Sequence, residues 1–583
     1  MPMIMTRGAR LFVMAIAGIL LSGPALCFAG ESTIEPVVDQ LMSDRGLGPV
    51  SGPGCAISVT KHDAVTFSKG YGAADIEHRA PFTPQTVSEA GSVAKQFTAA
   101  AVLMLAERGK LTLDDDIRTY LPEMPSYGAK ITIADLLHHT SGIREWSSLA
   151  ALRGSPRFYR KIYGMEDLLK ILARQTTLNF EPGTAFEYSN SNYGLLTVII
   201  ERVSGMSAAE FGRQQLFVPL GMHDSQWRDD LRRIVPDRAI AYRRKDAGYE
   251  LAMPFENVYG HGALLTTVGD LQRWNHALLK GGLSAFVTSK MLTPGRLRSG
   301  AVRSYGAGIF LETYRGHRVY RHSGRTAGYT AQLWGFPDDD VSIALLCNVQ
   351  AGNVGALAAG IADASLNLPR PAARPTEDKR TPPAGRATYY RSERGILLAV
   401  SGAASERYVD IFIGKGPMKL IASETPGKLT TAEYHDALSF SDEDADHIVV
   451  QLETSEPIRF TKEANAPRPS GVLDGRYFSS ELDRSYEVGR RGDTTVMTLA
   501  AADADDSVSF RLEWLNGASY LAKAETTSGS LGDYIVTFHA PARGIPATVS
   551  MSSVAGLGGI ANLVLTKRDD GAVAAKCTPG DSQ

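Results

Sequence analysis

Ala90-Gly91-Ser92-Val93-Ala94-Lys95-Gln96-Phe97 is the stretch that decides how the first half of this chain reads. Apolar residues recur after it at helical spacing (Phe97, Ala100, Val102, Leu103, Leu105) and Gly109 supplies a stop, which predicts a helix over Val93–Arg108. Positions i and i+3 of a helix share a face about one turn apart, so the Lys95 amine falls beside the Ser92 hydroxyl. The helix start adds a positive partial field that favours negative charge developing on the serine oxygen. A serine hydroxyl is a weak nucleophile without a neighbouring base. A lysine serves as that base where burial or nearby cations favour its neutral form. Alone, Ser-x-x-Lys recurs by chance in a chain of 583 residues, usually as a capped surface turn, so the pair needs partners elsewhere.

Two later stretches offer them. Tyr188-Ser189-Asn190 follows the turn Glu181-Pro182-Gly183-Thr184 and leads into a helix expected over Asn192–Val203. Such a loop can present a phenol that relays a proton and an amide that holds a substrate carbonyl. Alone it reads as a helix cap with a packed tyrosine. His322-Ser323-Gly324 ends a strand expected over Arg318–His322, and a glycine there lets a second backbone or a ligand come close. Alone it is a strand-end turn.

In this order the three elements resemble the serine β-lactamase and penicillin-binding family, in the branch that holds class C β-lactamases, D-aminopeptidases, a serine DD-carboxypeptidase and esterases. Two supporting segments also match, Leu136-Leu137-His138-His139-Thr140-Ser141-Gly142-Ile143 and the run from Gly262 to Leu271. The resemblance covers residues 35 to 365. It implies Ser92 as the residue acylated, with Lys95 and Tyr188 as a coupled pair that takes the serine proton and delivers it to the leaving group. It also implies Asn190 as a residue orienting the substrate amide or the lysine. Backbone N–H groups of Ser92 and Arg325 would form an oxyanion hole. His322, Ser323, Gly324 and Arg325 complete the implied substrate-binding set, and acylation is followed by hydrolysis with no metal or cofactor.

One departure shapes the expected substrate. Class C β-lactamases carry Lys-Thr-Gly where this chain has His322-Ser323-Gly324. A histidine offers less fixed positive charge near pH 7, leaving carboxylate recognition open to Arg321 or Arg325. D-aminopeptidases and the DD-carboxypeptidase of the branch carry histidine there. The resemblance therefore implies a serine hydrolase of amide or ester bonds, foremost a D-aminopeptidase- or DD-peptidase-like enzyme. A carboxylesterase, a weak β-lactamase, and a penicillin-binding or peptidoglycan-sensing protein with little turnover are the alternatives. No glutamate stands in a context like that of the class A deacylating base. His138 and His139, adjacent on a helix, point in different directions and read as helix-end packing rather than metal ligands.

Around these motifs, residues 30 to 368 read as one α/β unit, for which the resemblance implies an antiparallel sheet flanked by helices. Strands are expected at Cys55–Thr60 and Ala64–Lys69, and again at Ala331–Phe336 and Val341–Val349. Helices are expected between them at Ile133–His138, Met165–Arg174 and Val268–Leu279, with a last one at Val354–Ala364. Strands at both ends imply a sheet whose first and last strands meet. Pro369, Pro371, Pro375, Pro382 and Pro383 mark residues 369 to 385 as an extended linker. Beyond it, short alternating runs such as His447–Leu452, Val508–Trp514 and Tyr534–Phe538 predict all-β, barrel-like structure. Gly385-Arg386 with Tyr389-Tyr390-Arg391-Ser392-Glu393 echoes Gly475 to Glu481, which divides this half into modules at 386–466 and 467–583. The tail resembles the lipocalin-like barrel extensions of D-aminopeptidases, and a barrel loop that restricts substrate entry is expected.

The N-terminus carries Arg7 and Arg10, the apolar run Leu11 to Leu21, and the small-residue stretch Ala25 to Gly30. That pattern predicts a secretory signal over residues 1 to 29, cleaved after Ala29, and a periplasmic or secreted protein with no stable membrane span. Leu26 is larger than lipoprotein signals carry before a lipid-bearing cysteine such as Cys27. The remaining Cys55, Cys347 and Cys577 are odd in number and scattered, so Cys55 and Cys347 read as small buried hydrophobes, a bridge between them being the rival. With 44% apolar and 21% charged residues and a net charge of −2, the chain is an ordinary globular one without the basic footprint of a nucleic-acid binder. The expected partners are small-molecule, peptide or cell-wall-derived substrates.

Overall fold

The structure, a computed structural model, describes residues 34–568 except 49–50, 155–160, 351–353, 370–386, 404–405, 411–416, 423–426, 432–437, 453–456, 470–472, 501–507, 526–531, 543–546 and 555–558. The expected signal, Cys27, Cys577 and nearly all of the proline-rich segment lie outside the described residues.

The N-terminal half is built on six antiparallel strands: β1 (Cys55–Lys61), β2 (Ala64–Tyr71), β3 (Phe310–Tyr314), β4 (His317–Thr326), β5 (Tyr329–Phe336) and β6 (Val341–Cys347), in the spatial order β3-β4-β5-β6-β1-β2. The β1–β2 hairpin turns at His62 and Asp63, both at positive φ, the geometry that matches the twist of the flanking strands. The first strand pairs with the last, Ile57 opposite Leu345, as the chain's two strand-rich ends require.

Alternation along these strands divides the core, since successive side chains point to opposite faces. Ile57, Val59, Ile343 and Leu345 pack with Val38 and Leu41 of α1 (Glu35–Ser43) and with Leu357 and Ile361 of the closing helix Val354–Ser365. Ala56, Ala344 and Leu346 face the other way, toward the core that holds Phe97, Leu103 and Leu271 from α2 (Lys95–Glu107) and α4 (Val268–Lys280). Between these two helices in sequence lies α3 (Asn190–Ser204). A short helix at Trp146–Leu152, only seven residues long, begins after Glu145, an unusual cap whose carboxylate accepts the Ser147 N–H.

Cys55 and Cys347 are a correction. They stand directly opposite each other on β1 and β6 and are joined by a disulfide rather than packed as free thiols. Scattered sequence positions concealed the pairing because 292 residues of chain separate them.

The C-terminal half forms two closed eight-stranded barrels, Thr388–Lys462 and Gly475–Arg568. The echoed segments open each barrel, with Tyr390 and Tyr477 at equivalent buried places. The interiors are filled: Leu398, Val409, Phe440 and Phe460 in the first, Tyr486, Met497, Phe510 and Val536 in the second. The second barrel is fastened to the α/β unit. Arg144 pairs with Glu481, both almost fully buried, and donates to Thr177 Oγ1 (2.7 Å) and the Ala561 carbonyl (3.1 Å). Tyr486 donates to the Leu152 carbonyl, and Arg484 Nε to that of Arg153 (3.0 Å). Among the described residues no helix is long and apolar enough to cross a membrane.

Candidate active site

The predicted helix start differs in one detail that brings its two key residues closer. Residues Gly91–Ala94 form a 3-10 turn and the regular helix begins at Lys95. Side chains three apart nearly eclipse in a 3-10 turn. Gly91 enters it at a φ of 50°, and a Cβ there would fall 2.5 Å from the Arg325 nitrogen. Gly324 is constrained from the other side, since a Cβ on it would overlap the Ala90 carbonyl oxygen. Two glycines therefore let the Ser92 turn lie against β4. That edge is open there because β3 pairs with β4 only as far as Arg321.

Ser92 Oγ lies 3.0 Å from Lys95 Nζ. The lysine side chain is fully buried, and Nζ also meets Asn190 Oδ1 (2.8 Å) and the His261 carbonyl (2.6 Å). Those two oxygens are acceptors only. A neutral amine can give its two N–H bonds to them and turn its lone pair toward the Ser92 hydroxyl. The His261 carbonyl arrives just ahead of the Gly262 segment, and Asn190 opens α3. Its orientation is set by Glu145, whose Oε2 accepts the Asn190 N–H (2.7 Å) and whose Oε1 accepts from Asn190 Nδ2 (3.5 Å).

Tyr188 covers the lysine, with Nζ 4.7 Å from its ring centroid. The ring is partly exposed, but the hydroxyl is shielded from solvent and closes no hydrogen bond of normal geometry among the described residues. Burial pushes the phenol well above its ordinary pKa, and the Ser92 hydroxyl beside it offsets part of that shift. The His139 ring lies 4.4 Å from the Tyr188 ring, and its Nδ1 accepts the Ser189 N–H (3.2 Å). Burial first, then the charge of Lys95, holds His139 far below the ordinary histidine value, so it stays a neutral acceptor.

His322 sits differently from the expected substrate contact. It is 2% exposed; Nδ1 donates to its neighbour's carbonyl at Ser323 (2.6 Å) and Nε2 accepts from the Tyr305 hydroxyl (3.2 Å). Burial and then Lys95 lower its pKa to about 3, so it brings no positive charge to the site. Ser323 and Arg325 project to solvent beside the open strand edge. Arg321 is engaged by Glu312 (2.6 Å) and lies over the Trp334 ring, whereas Arg325 has no ion pair among the described residues.

Ser92, Lys95, Tyr188 and Asn190 are thus one cluster against the Gly324–Arg325 edge. His139, Glu145, His261 and Tyr305 belong to it as well. His139 lay inside a quoted motif, but nothing in its spacing shows that its ring supports Tyr188. Glu145 and Tyr305 carry no local signal.

A family model for beta-lactamase matches residues 38–368, more than half of the chain. The chain belongs to the beta-lactamase family. Among curated proteins it is 28% identical to a D-aminopeptidase of Gluconobacter oxydans over 61% of this chain and 67% of that one. It is 27% identical to a D-aminopeptidase of Cereibacter sphaeroides over 76% of this chain and 82% of that one. The octameric penicillin-binding protein homologue from Pyrococcus abyssi shares the fold across 91% of this chain and 99% of its own, at a TM-score of 0.51 and 20% identity. The D-amino acid amidase of Ochrobactrum anthropi shares it over 57% and 98%, at a TM-score of 0.50 and 21% identity. Both likenesses speak to the fold alone.

Proposed function

We propose that this beta-lactamase-family member is a serine hydrolase that cleaves amide bonds through an acyl-enzyme, releasing D-amino acids from the N-terminus of small amides or peptides. The observation that carries the chemistry is Lys95 Nζ at 3.0 Å from Ser92 Oγ, with its other bonds taken by Asn190 and the His261 carbonyl. The D-aminopeptidase relatives support the substrate class.

In this reading the amine, coupled to Tyr188, takes the Ser92 proton as Oγ attacks the substrate carbonyl. The N–H groups of Ser92 and Arg325 receive the oxyanion, where fixed donors act most strongly because they need no reorganisation. Tyr188, kept protonated by burial, passes the proton to the departing amine, and water then cleaves the ester. The open β4 edge pairs with an extended substrate. Arg325 faces any substrate carboxylate, because Arg321 is taken by Glu312 and His322 is neutral.

The test is turnover of D-alanyl and L-alanyl p-nitroanilide, a p-nitrophenyl ester and a fluorescent penicillin, each against Ser92→Ala. Release from the D-anilide at least about tenfold faster than from its L-isomer is expected. Release from esters only would make the protein an esterase, and a persistent penicillin label without turnover would make it a sensor; either outcome overturns the proposal.

The same reading places the protein in the periplasm or outside the cell, with residues 1 to 29 removed. The N-terminal pattern supports it, and so does the Cys55–Cys347 bond, since disulfides persist in oxidising compartments. Intact-mass measurement of the protein from its native host should show a chain beginning at Gly30 and short of two hydrogens. A full-length chain with both thiols free would sink this placement.

A further inference from the structure

Tyr188 has no hydrogen bond of normal geometry to hold its own hydroxyl among the described residues, so its place depends on ring packing and on its neighbours in the chain. On one side the Ser189 N–H is tied to His139 and the Asn190 N–H to Glu145. On the other, the Glu187 N–H donates to the His139 carbonyl (2.9 Å) while its carboxylate reaches out of the catalytic domain. Glu187 Oε1 accepts from the Gly559 N–H of the second barrel (3.5 Å), and Oε2 lies 3.6 Å from Arg394 Nη1 of the first. Asn179 closes the junction. Its Nδ2 donates to Glu187 Oε1 (2.5 Å) and to the Gly559 carbonyl (3.1 Å), and its Oδ1 accepts the Ala561 N–H (2.8 Å). The Gly559 carbonyl also accepts the N–H of Glu145 (3.2 Å). One residue of the second barrel thus touches both carboxylate residues that flank the Tyr188–Asn190 turn.

We propose that Glu187 is a positioning residue through which both barrels hold Tyr188 in register with Ser92, so that acylation reaches its full rate only with the barrels docked. This rests on the roles of Ser92 and Tyr188 proposed above. Both hydrogen bonds to the Glu187 carboxylate end on Oε1, while the Arg394 guanidinium faces Oε2, so it is the contact with Arg394 that favours the ionised form. Burial raises its pKa against the pull of Arg394; the other charges facing it are Glu145, which raises it further, and Arg144 behind the same junction. Protonation on the acid side therefore removes the charge that faces Arg394 and loosens the tie.

The experiment measures the acylation burst with p-nitrophenyl acetate, a substrate too small to depend on recognition, in the full chain. Wild type, Glu187→Gln, Arg394→Met and Ser92→Ala are compared, with the unfolding midpoint and the pH profile of each. Misplacing a reacting group by about 1 Å can cost about 10²-fold, so a roughly tenfold or greater loss in burst rate is expected for folded Glu187→Gln and Arg394→Met. The ester concentration at half-saturation should stay within about twofold, and the acid limb should shift in Glu187→Gln. Burst rates within about twofold of wild type in both variants, with the acid limb unmoved, would overturn the positioning role and leave the serine chemistry standing. A burst that survives in Ser92→Ala would instead sink the underlying reading.

Discussion

Lys95→Met is expected to slow acylation of Ser92 by about 10³-fold, within the range general-base catalysis supplies, while the protein stays folded. Methionine keeps the length and much of the volume of the side chain, so the buried space stays filled. What disappears is the lone pair 3.0 Å from the serine hydroxyl. The Asn190 amide oxygen and the His261 carbonyl lose a donor, a cost of about 1–3 kcal/mol for a buried acceptor left unpaired. A modest fall in melting temperature should therefore accompany the large fall in rate. Stopped-flow acylation and thermal unfolding read the two effects separately. A Lys95→Met protein acylating within tenfold of wild type would remove the lysine from the mechanism and leave Tyr188 as the base.

The second large effect is on stability. Glu481→Ala should destabilise the assembly of catalytic domain and second barrel by about 3–5 kcal/mol, the usual result of removing one partner of a buried ion pair. Arg144 is 1% exposed and would keep its charge with the principal acceptor gone. Glu481 Oε1 also accepts from the Thr176 N–H (2.8 Å) and hydroxyl (2.6 Å), so the substitution orphans donors as well. Burial alone would raise the Glu481 pKa, but the Arg144 charge and the Thr176 bonds outweigh it and leave it lowered. A lowered carboxyl contributes stability that is present above the ordinary glutamate pKa and lost as pH falls through the depressed one. The gap between wild type and Glu481→Ala in urea unfolding should thus be widest near neutral pH and shrink in acid. A gap below about 1 kcal/mol at pH 7 would show that the contact is dispensable. The same burial explains why deleting the barrels outright is a poor test of their role in specificity: it would uncover Arg144 and part of the shared core.

The chemistry of this site was more legible than its support. Ser92, Lys95, Tyr188 and Asn190 stand out because helical spacing and turn residues are local properties, and their order along the chain is itself informative. Strand pairing was legible for the same reason: alternating runs at both ends of the α/β unit leave few ways to build one sheet. His322 shows where this ends. Histidine at a strand end looks available to substrate, yet Tyr305, Phe310 and Lys95 surround it and make it a neutral, buried ring.

By itself the amino-acid order singled out Ser92 and Lys95, the strand segments and the change to β structure after the prolines, because each is signalled by a pattern within a short run of residues. Only the tertiary structure decided that Cys55 bonds Cys347, that Glu145 aims the Asn190 amide, and that Glu187 joins three domains beside Tyr188. Those contacts span from 45 to 372 positions of chain. No local periodicity carries that information, since burial and partnership there are properties of surfaces that meet only after the whole chain has folded.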